Sequence, residues 1–151
     1  MVPLASPAIN EIPHADRLTE LRLATLHAGK CVSWKSDREL AIDPAFPRER
    51  FYGLIPDAVW TTPSDRRIAV EYERTRKGVA RVRSKVETFS RELARPDRVF
   101  DLVLWVAAPG AYQDLAGILR THPSQRLRRF EQFTAELETE AKQDAPVKEK
   151  G

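Results

Sequence analysis

Asp57, Glu71 and Glu73 are the residues whose types and spacing could do chemistry in this chain. Asp57 lies in the stretch LIPDAVW, and the two glutamates lie in IAVEYERTRKG. Side chains alternate along a strand, so Glu71 and Glu73 share one face with Ala69, while Ile68, Val70 and Tyr72 point the other way. Three acids that meet on a hairpin repel one another unless a cation joins them. Hard divalent ions such as Mg²⁺ or Mn²⁺ take oxygen ligands. The expectation is a metal site made by Asp57, Glu71 and Glu73. The plainer alternative pairs Glu71 and Glu73 with Arg66, Arg67 or Arg74 along a surface strand, for little energy.

Arg74, Arg76, Lys77, Arg81, Arg83 and Lys85 follow the acids directly. Next to a metal site they are expected to neutralise DNA phosphates. Without one they read as the solvated start of a helix. The chain has 25 Lys and Arg against 22 Asp and Glu, net +3, so the placement of charge matters more than its sum. With 151 residues, 42% of them hydrophobic, it is long enough for one domain with a real core. The single Cys31 excludes an internal disulfide and fits a reducing compartment. Cys31 and His27 lack partners at zinc spacing, and Trp34, Trp60 and Trp105 read as core or sheet-face residues rather than base-stacking platforms. There is no apolar run of membrane length and no signal-peptide pattern, so a cytoplasmic location without membrane contact is expected. There is also no phosphate-binding glycine loop and no nucleophile elbow.

The elements that must position these residues follow from periodicity. Residues 1–13 contain Pro3, Pro7 and Pro13 and read as an extended lead-in. A helix is predicted from His14 or Asp16 to about His27. Leu18, Leu21 and Thr25 line one side of it, Leu23 and Leu26 lie beside them, and Gly29 closes it. A short strand is predicted at 31–35, with a turn of helix near 37–40. The hairpin pairs 54–61 with 67–74 around a polar turn. Val79, Val82, Val86, Phe89 and Leu93 form the stripe of a helix over 79–94, with Arg81, Arg83, Lys85 and Arg91 elsewhere on its surface. The run VFDLVLWVA at 99–107 reads as a strand buried on both faces. Helices are predicted at 111–119 and 125–141, and the polar tail 142–151 is expected to be disordered. This order gives one α/β domain over 14–141, a mixed sheet with a β-hairpin and helices on both faces.

Pro56-Asp57 on one strand and Glu71-Tyr72-Glu73 on the next resemble the core of the PD-(D/E)xK nuclease superfamily, the restriction-endonuclease-like fold. More narrowly, HADRLTELRLATLHAGKCVSW, LIPDAVW, IAVEYERTRKG and RVFDLVLWVAAP together resemble the bacterial plasmid replication-relaxation proteins. The resemblance covers residues 13–117, most of the chain. It implies a DNA endonuclease or nickase of plasmid replication, relaxation or mobilisation. It equally allows an inactive DNA-binding or interaction module that kept the fold. DNA is the implied partner, with plasmid replication or relaxosome proteins and a second copy of the chain as further candidates. Such proteins usually carry a winged-helix domain first, so a truncated or stand-alone form is expected here. The resemblance also implies that Glu20, from the first helix, hydrogen-bonds a metal-bound water. Where the superfamily motif has Lys, this chain has Glu73. Lys77, or alternatively Lys85, is then expected to supply the missing cation, as migrated lysines do in some relatives.

Overall fold

The computed structural model describes residues 11–74 and 78–144, so the lead-in through residue 10, the segment 75–77 with Arg76 and Lys77, and the tail from 145 lie outside the described residues. In chain order the elements are α1 (Glu11–His27), β1 (Ser33–Ser36), α2 (Asp37–Ile42), a 3-10 turn (Arg48–Phe51), β2 (Ala58–Thr61), β3 (Arg67–Glu73), α3 (Val79–Leu93), β4 (Leu102–Ala107), α4 (Pro109–Leu119), β5 (Gln125–Arg129) and α5 (Phe130–Asp144). The five strands form one sheet in the order β1-β2-β3-β4-β5. β1, β2 and β3 run antiparallel, and β3, β4 and β5 run parallel. The protein is thus α/β, with a mixed sheet between helices.

The apolar run at 99–107 supplies β4, which lies between β3 and β5 as its double burial requires. Val103, Trp105 and Ala107 face one layer, where Val82, Val86 and Phe89 of α3 and Ala111, Leu115 and Leu119 of α4 pack against them. Leu104 and Val106 face the other, with Leu21 of α1 and Phe130 and Leu137 of α5. Alternation along one strand therefore assigns the two helix layers to opposite faces.

Local signals explain several boundaries. Gly29 takes a φ of 68° after α1, and its neighbour Lys30 donates to the Thr25 carbonyl at 3.0 Å, the geometry a left-handed helix end provides. Ser36 and Glu39 form a reciprocal capping box at the start of α2. Pro109 stands in the first turn of α4, where a missing N–H costs nothing. Leu21 and Thr25 of α1 are fully buried, whereas Leu23 and Leu26 are 48% and 38% exposed and lie off the core.

Three sequence expectations need correction. The helix expected at 125–141 is a strand followed at once by a helix, β5 and then α5. Gln125–Arg129 carries a single aliphatic residue, Leu127, so neither period is legible there. It becomes a strand because parallel pairing with β4 satisfies its backbone. The first strand of the hairpin is shorter than expected and begins at Ala58, which leaves Asp57 just before it. The lead-in is also shorter, because α1 already begins at Glu11 and takes Pro13 into its first turn.

Gln125 joins the sheet to α3. Its Oε1 accepts from Trp105 Nε1 at 2.9 Å, and its Nε2 donates to the Val86 carbonyl at 2.8 Å and to Ser90 Oγ at 2.9 Å. Ser90 also shares a 2.9 Å hydrogen bond with His122 Nδ1. Gln125→Leu strands the buried Trp105 N–H and is expected to cost about 2 kcal/mol, read by urea denaturation. A change below about 0.5 kcal/mol would mean that this network contributes nothing net.

Candidate functional site

The β2–β3 ladder ends at the Ala58–Val70 pair, and Asp57 stands one residue beyond it. The Asp57 carbonyl accepts from Asp37 N–H at 2.9 Å, which holds this residue to the start of α2. Its side chain turns to β3, where Oδ2 accepts from Tyr72 N–H at 2.8 Å. A backbone donor past the end of the ladder is thus satisfied by a carboxylate. By antiparallel parity Asp57 lies across from Glu71, and the two carboxyls are close enough to share a hydrogen bond. The site sits at β3, where the sheet changes from antiparallel to parallel pairing.

Glu71 is only 1% exposed. Its neighbour across the parallel ladder is Trp105, so its carboxyl enters the apolar layer between sheet and α3. Lys85 on α3 meets it there, with Nζ 2.6 Å from Oε1. Burial is the chief cause that pushes the Glu71 carboxyl above the usual range, and the Asp57 charge adds to it, while Lys85 opposes both. Burial works against the Lys85 ammonium, but the Glu71 and Asp57 carboxyls outweigh it and hold its pKa above the usual lysine value. The result is a triad of two carboxyls and one ammonium, with Glu71 and Lys85 buried and Asp57 half-buried at its edge.

Lys85 therefore does not belong to a DNA-facing surface. The helical period had the signal: 82, 85–86, 89 and 92–93 are one stripe, and Lys85 and Glu92 are its two charged members. Both are buried, and both meet an opposite charge from another element. Glu92 takes a two-pronged contact from Arg50 at 2.7 and 2.8 Å.

The structure brings together two of the three expected metal-binding acids. Among the described residues no group of three or more His, Cys, Asp or Glu side chains could hold a metal ion. The reason is geometric. Glu73 shares the face of Glu71 but lies two residues on, about 6.6 Å further along the strand. Asp57 stands across from Glu71, not from Glu73. Glu73 is half-buried at the last position of β3, beside Ala107.

Glu20 does not join the triad either. It pairs with Arg17 at 2.9 Å on α1, the helix that packs on the Tyr72 face of the sheet, away from Glu71. Lys77 and Arg76 lie outside the described residues. Arg74 directly follows β3, half-buried, with its carbonyl beside the Gly110 turn of α4. Arg81 is exposed one helical turn from Lys85 and close enough to act on its charge. Arg83 is exposed too, but two residues on a helix turn the side chain by about 200°, so Arg81 and Arg83 face different sides.

One buried and one half-buried carboxyl with a cation beside them can hold one hard divalent ion with water completing its shell, or can stay closed as an ion pair. No family model, no curated protein and no solved structure matches this chain. Among the described residues no helix is long and apolar enough to cross a membrane.

Proposed function

We propose that the protein is a divalent-metal-dependent DNA endonuclease or nickase with a restriction-endonuclease-like core, and that it serves plasmid replication, relaxation or mobilisation. The observation that carries this reading is the triad of Asp57, Glu71 and Lys85 at the antiparallel-to-parallel switch of the sheet. The order helix, three antiparallel strands, helix, parallel strand also supports it, because that is the core the sequence resemblance implies.

The donor set fits Mg²⁺ or Mn²⁺. Both ligands would be carboxylates, and their mutual repulsion is what a divalent ion relieves. Asp57 and Glu71 would hold the ion, which when bound polarises a phosphate and lowers the pKa of water. Lys85 supplies the positive charge that Glu73 cannot supply from the usual strand position. Its charge is fixed by Glu71 and stays within the site. Arg74 and Arg81 stand at the same end of β3 and the start of α3 and would hold DNA phosphates.

A second reading, an inactive DNA-binding or interaction module, is favoured by one observation. Glu71 is closed against Lys85 at 2.6 Å, an arrangement complete without a metal. Supercoiled plasmid separates the two. With Mn²⁺ the wild type converts it to the nicked form, and chelation of the ion stops the reaction. DNA binding with no nicking at any divalent concentration supports the module. In either case, neutralising a few phosphates makes binding fall steeply with salt, and a flat log–log salt dependence removes DNA as the partner.

A further inference from the structure

Arg129 closes β5, and the ladders place it in one row with Glu73 and Ala107. Laterally paired residues of parallel strands share a face, so Arg129 lies on the Glu71 side of the sheet. It also lies at the same end of the sheet, two strands over, about 10 Å from Glu73 across the ladders. Its guanidinium carbon stands 3.6 Å over the ring centroid of Tyr112. Tyr112 belongs to α4 and packs against the core through its ring, so the platform under the guanidinium is fixed.

We infer that Arg129, held over the Tyr112 ring, binds a backbone phosphate of the nucleic acid strand that enters the Asp57–Glu71–Lys85 site. Four observations converge on this. Arg129 is exposed, and among the described residues it has no carboxylate partner. The neighbouring Arg128, by contrast, is paired with Glu136. A guanidinium stacked on a ring keeps its N–H edges free and gives up less freedom when they bind, which suits two-pronged phosphate recognition. Arg74 directly follows β3, the strand that carries Glu71, and Arg129 ends β5 two strands over, so both cations stand at the end of the sheet where the carboxyls lie.

This inference rests on the DNA reading proposed above, and the two can fail separately. A labelled duplex oligonucleotide is titrated at several salt concentrations, by fluorescence anisotropy, with wild type, Arg129→Ala and Arg120→Ala. Arg120 follows α4 at its other end and serves as a charge-matched control. The expected result is severalfold weaker binding by Arg129→Ala, with a log–log salt slope shallower by about 1, and wild-type behaviour of Arg120→Ala. If Arg129→Ala proves unstable, Arg129→Gln keeps part of the apolar stem and a polar end without the charge and serves the same titration. Salt-dependent wild-type binding that Arg129→Ala leaves unchanged overturns the inference and spares the DNA reading. Equal losses in both variants also overturn it, because a general charge effect then explains them. No binding by the wild type overturns both.

Discussion

Lys85→Met is expected to cost about 3 kcal/mol of folding stability at neutral pH, one of the two largest effects a single substitution should have here. Methionine matches the bulk of the lysine stem, so the loss measures the missing ammonium more than missing packing. Glu71 then faces Asp57 and the apolar layer with no cation. The pH dependence has a definite sign. Lys85 lowers the Glu71 pKa against burial and Asp57, so its removal drives that pKa still higher. A carboxyl with a raised folded-state pKa binds more protons folded than unfolded, and its stability contribution is lost as pH rises through that pKa. The deficit of Lys85→Met should therefore shrink on acidification from pH 8 toward 5. Adding Glu71→Gln to the variant removes the stranded charge and should restore much of the loss. Urea denaturation across that pH range checks all three statements. Equal stability of Lys85→Met and wild type at every pH would remove the ion pair from any account of the fold. In the nuclease reading the same substitution lowers nicking about 10²-fold or more.

Divalent ion binding is expected to raise wild-type stability by about 2.7 kcal/mol at an ion concentration a hundred times its Kd. That is a shift of several degrees in Tm for a chain of this size. Asp57→Asn should abolish it. Asparagine keeps an oxygen that can accept from Tyr72 N–H, so the end of β2 stays in place. It also removes the charge that raises the Glu71 pKa, so without ion the variant should melt no lower than wild type. Nicking should fall about 10²-fold or more, while DNA affinity is retained. Thermal melts with and without Mn²⁺, paired with the plasmid assay, measure each part. If wild type and variant melt alike with and without the ion, and calorimetry detects no ion binding at millimolar concentration, the carboxyls are structural.

Much of the site was legible before the fold. Asp57 and Glu71 announced themselves as acids in strand-forming stretches, where a carboxylate is costly unless something meets it. Parity put Glu73 on the face of Glu71. What parity could not say is that the rise along β3 keeps Glu73 too far on for a three-acid cluster, with Asp57 opposite Glu71 instead. Lys85 was visible as a charge near the acids, but a lysine flanked by Arg83 and Glu87 reads as surface. The helical stripe of α3 put Lys85 on the buried side, but its meeting with Glu71 depends on how α3 packs on β3, which no local pattern encodes. The pairing of Arg50 with Glu92 spans 42 residues and was invisible for the same reason. So was the stacking of Arg129 on Tyr112, because β5 itself carries no clear period.

The sequence alone determined the elements whose free energy is local or uniform along the segment. The unbroken apolar run at 102–107 had to be an inner strand, and the 3–4 spacing at 79–93 had to be a helix with one buried side. Gly29 and the Ser36–Glu39 box ended and began helices by chemistry confined to a few residues. Tertiary structure decided the register and the charges. It made Gln125–Arg129 a strand, because β4 offered an unpaired edge. It turned Asp57 toward Tyr72, because the ladder ended one residue earlier. It also buried Glu71 with Lys85, because only in the packed layer between sheet and helix does each charge become the other's solvent.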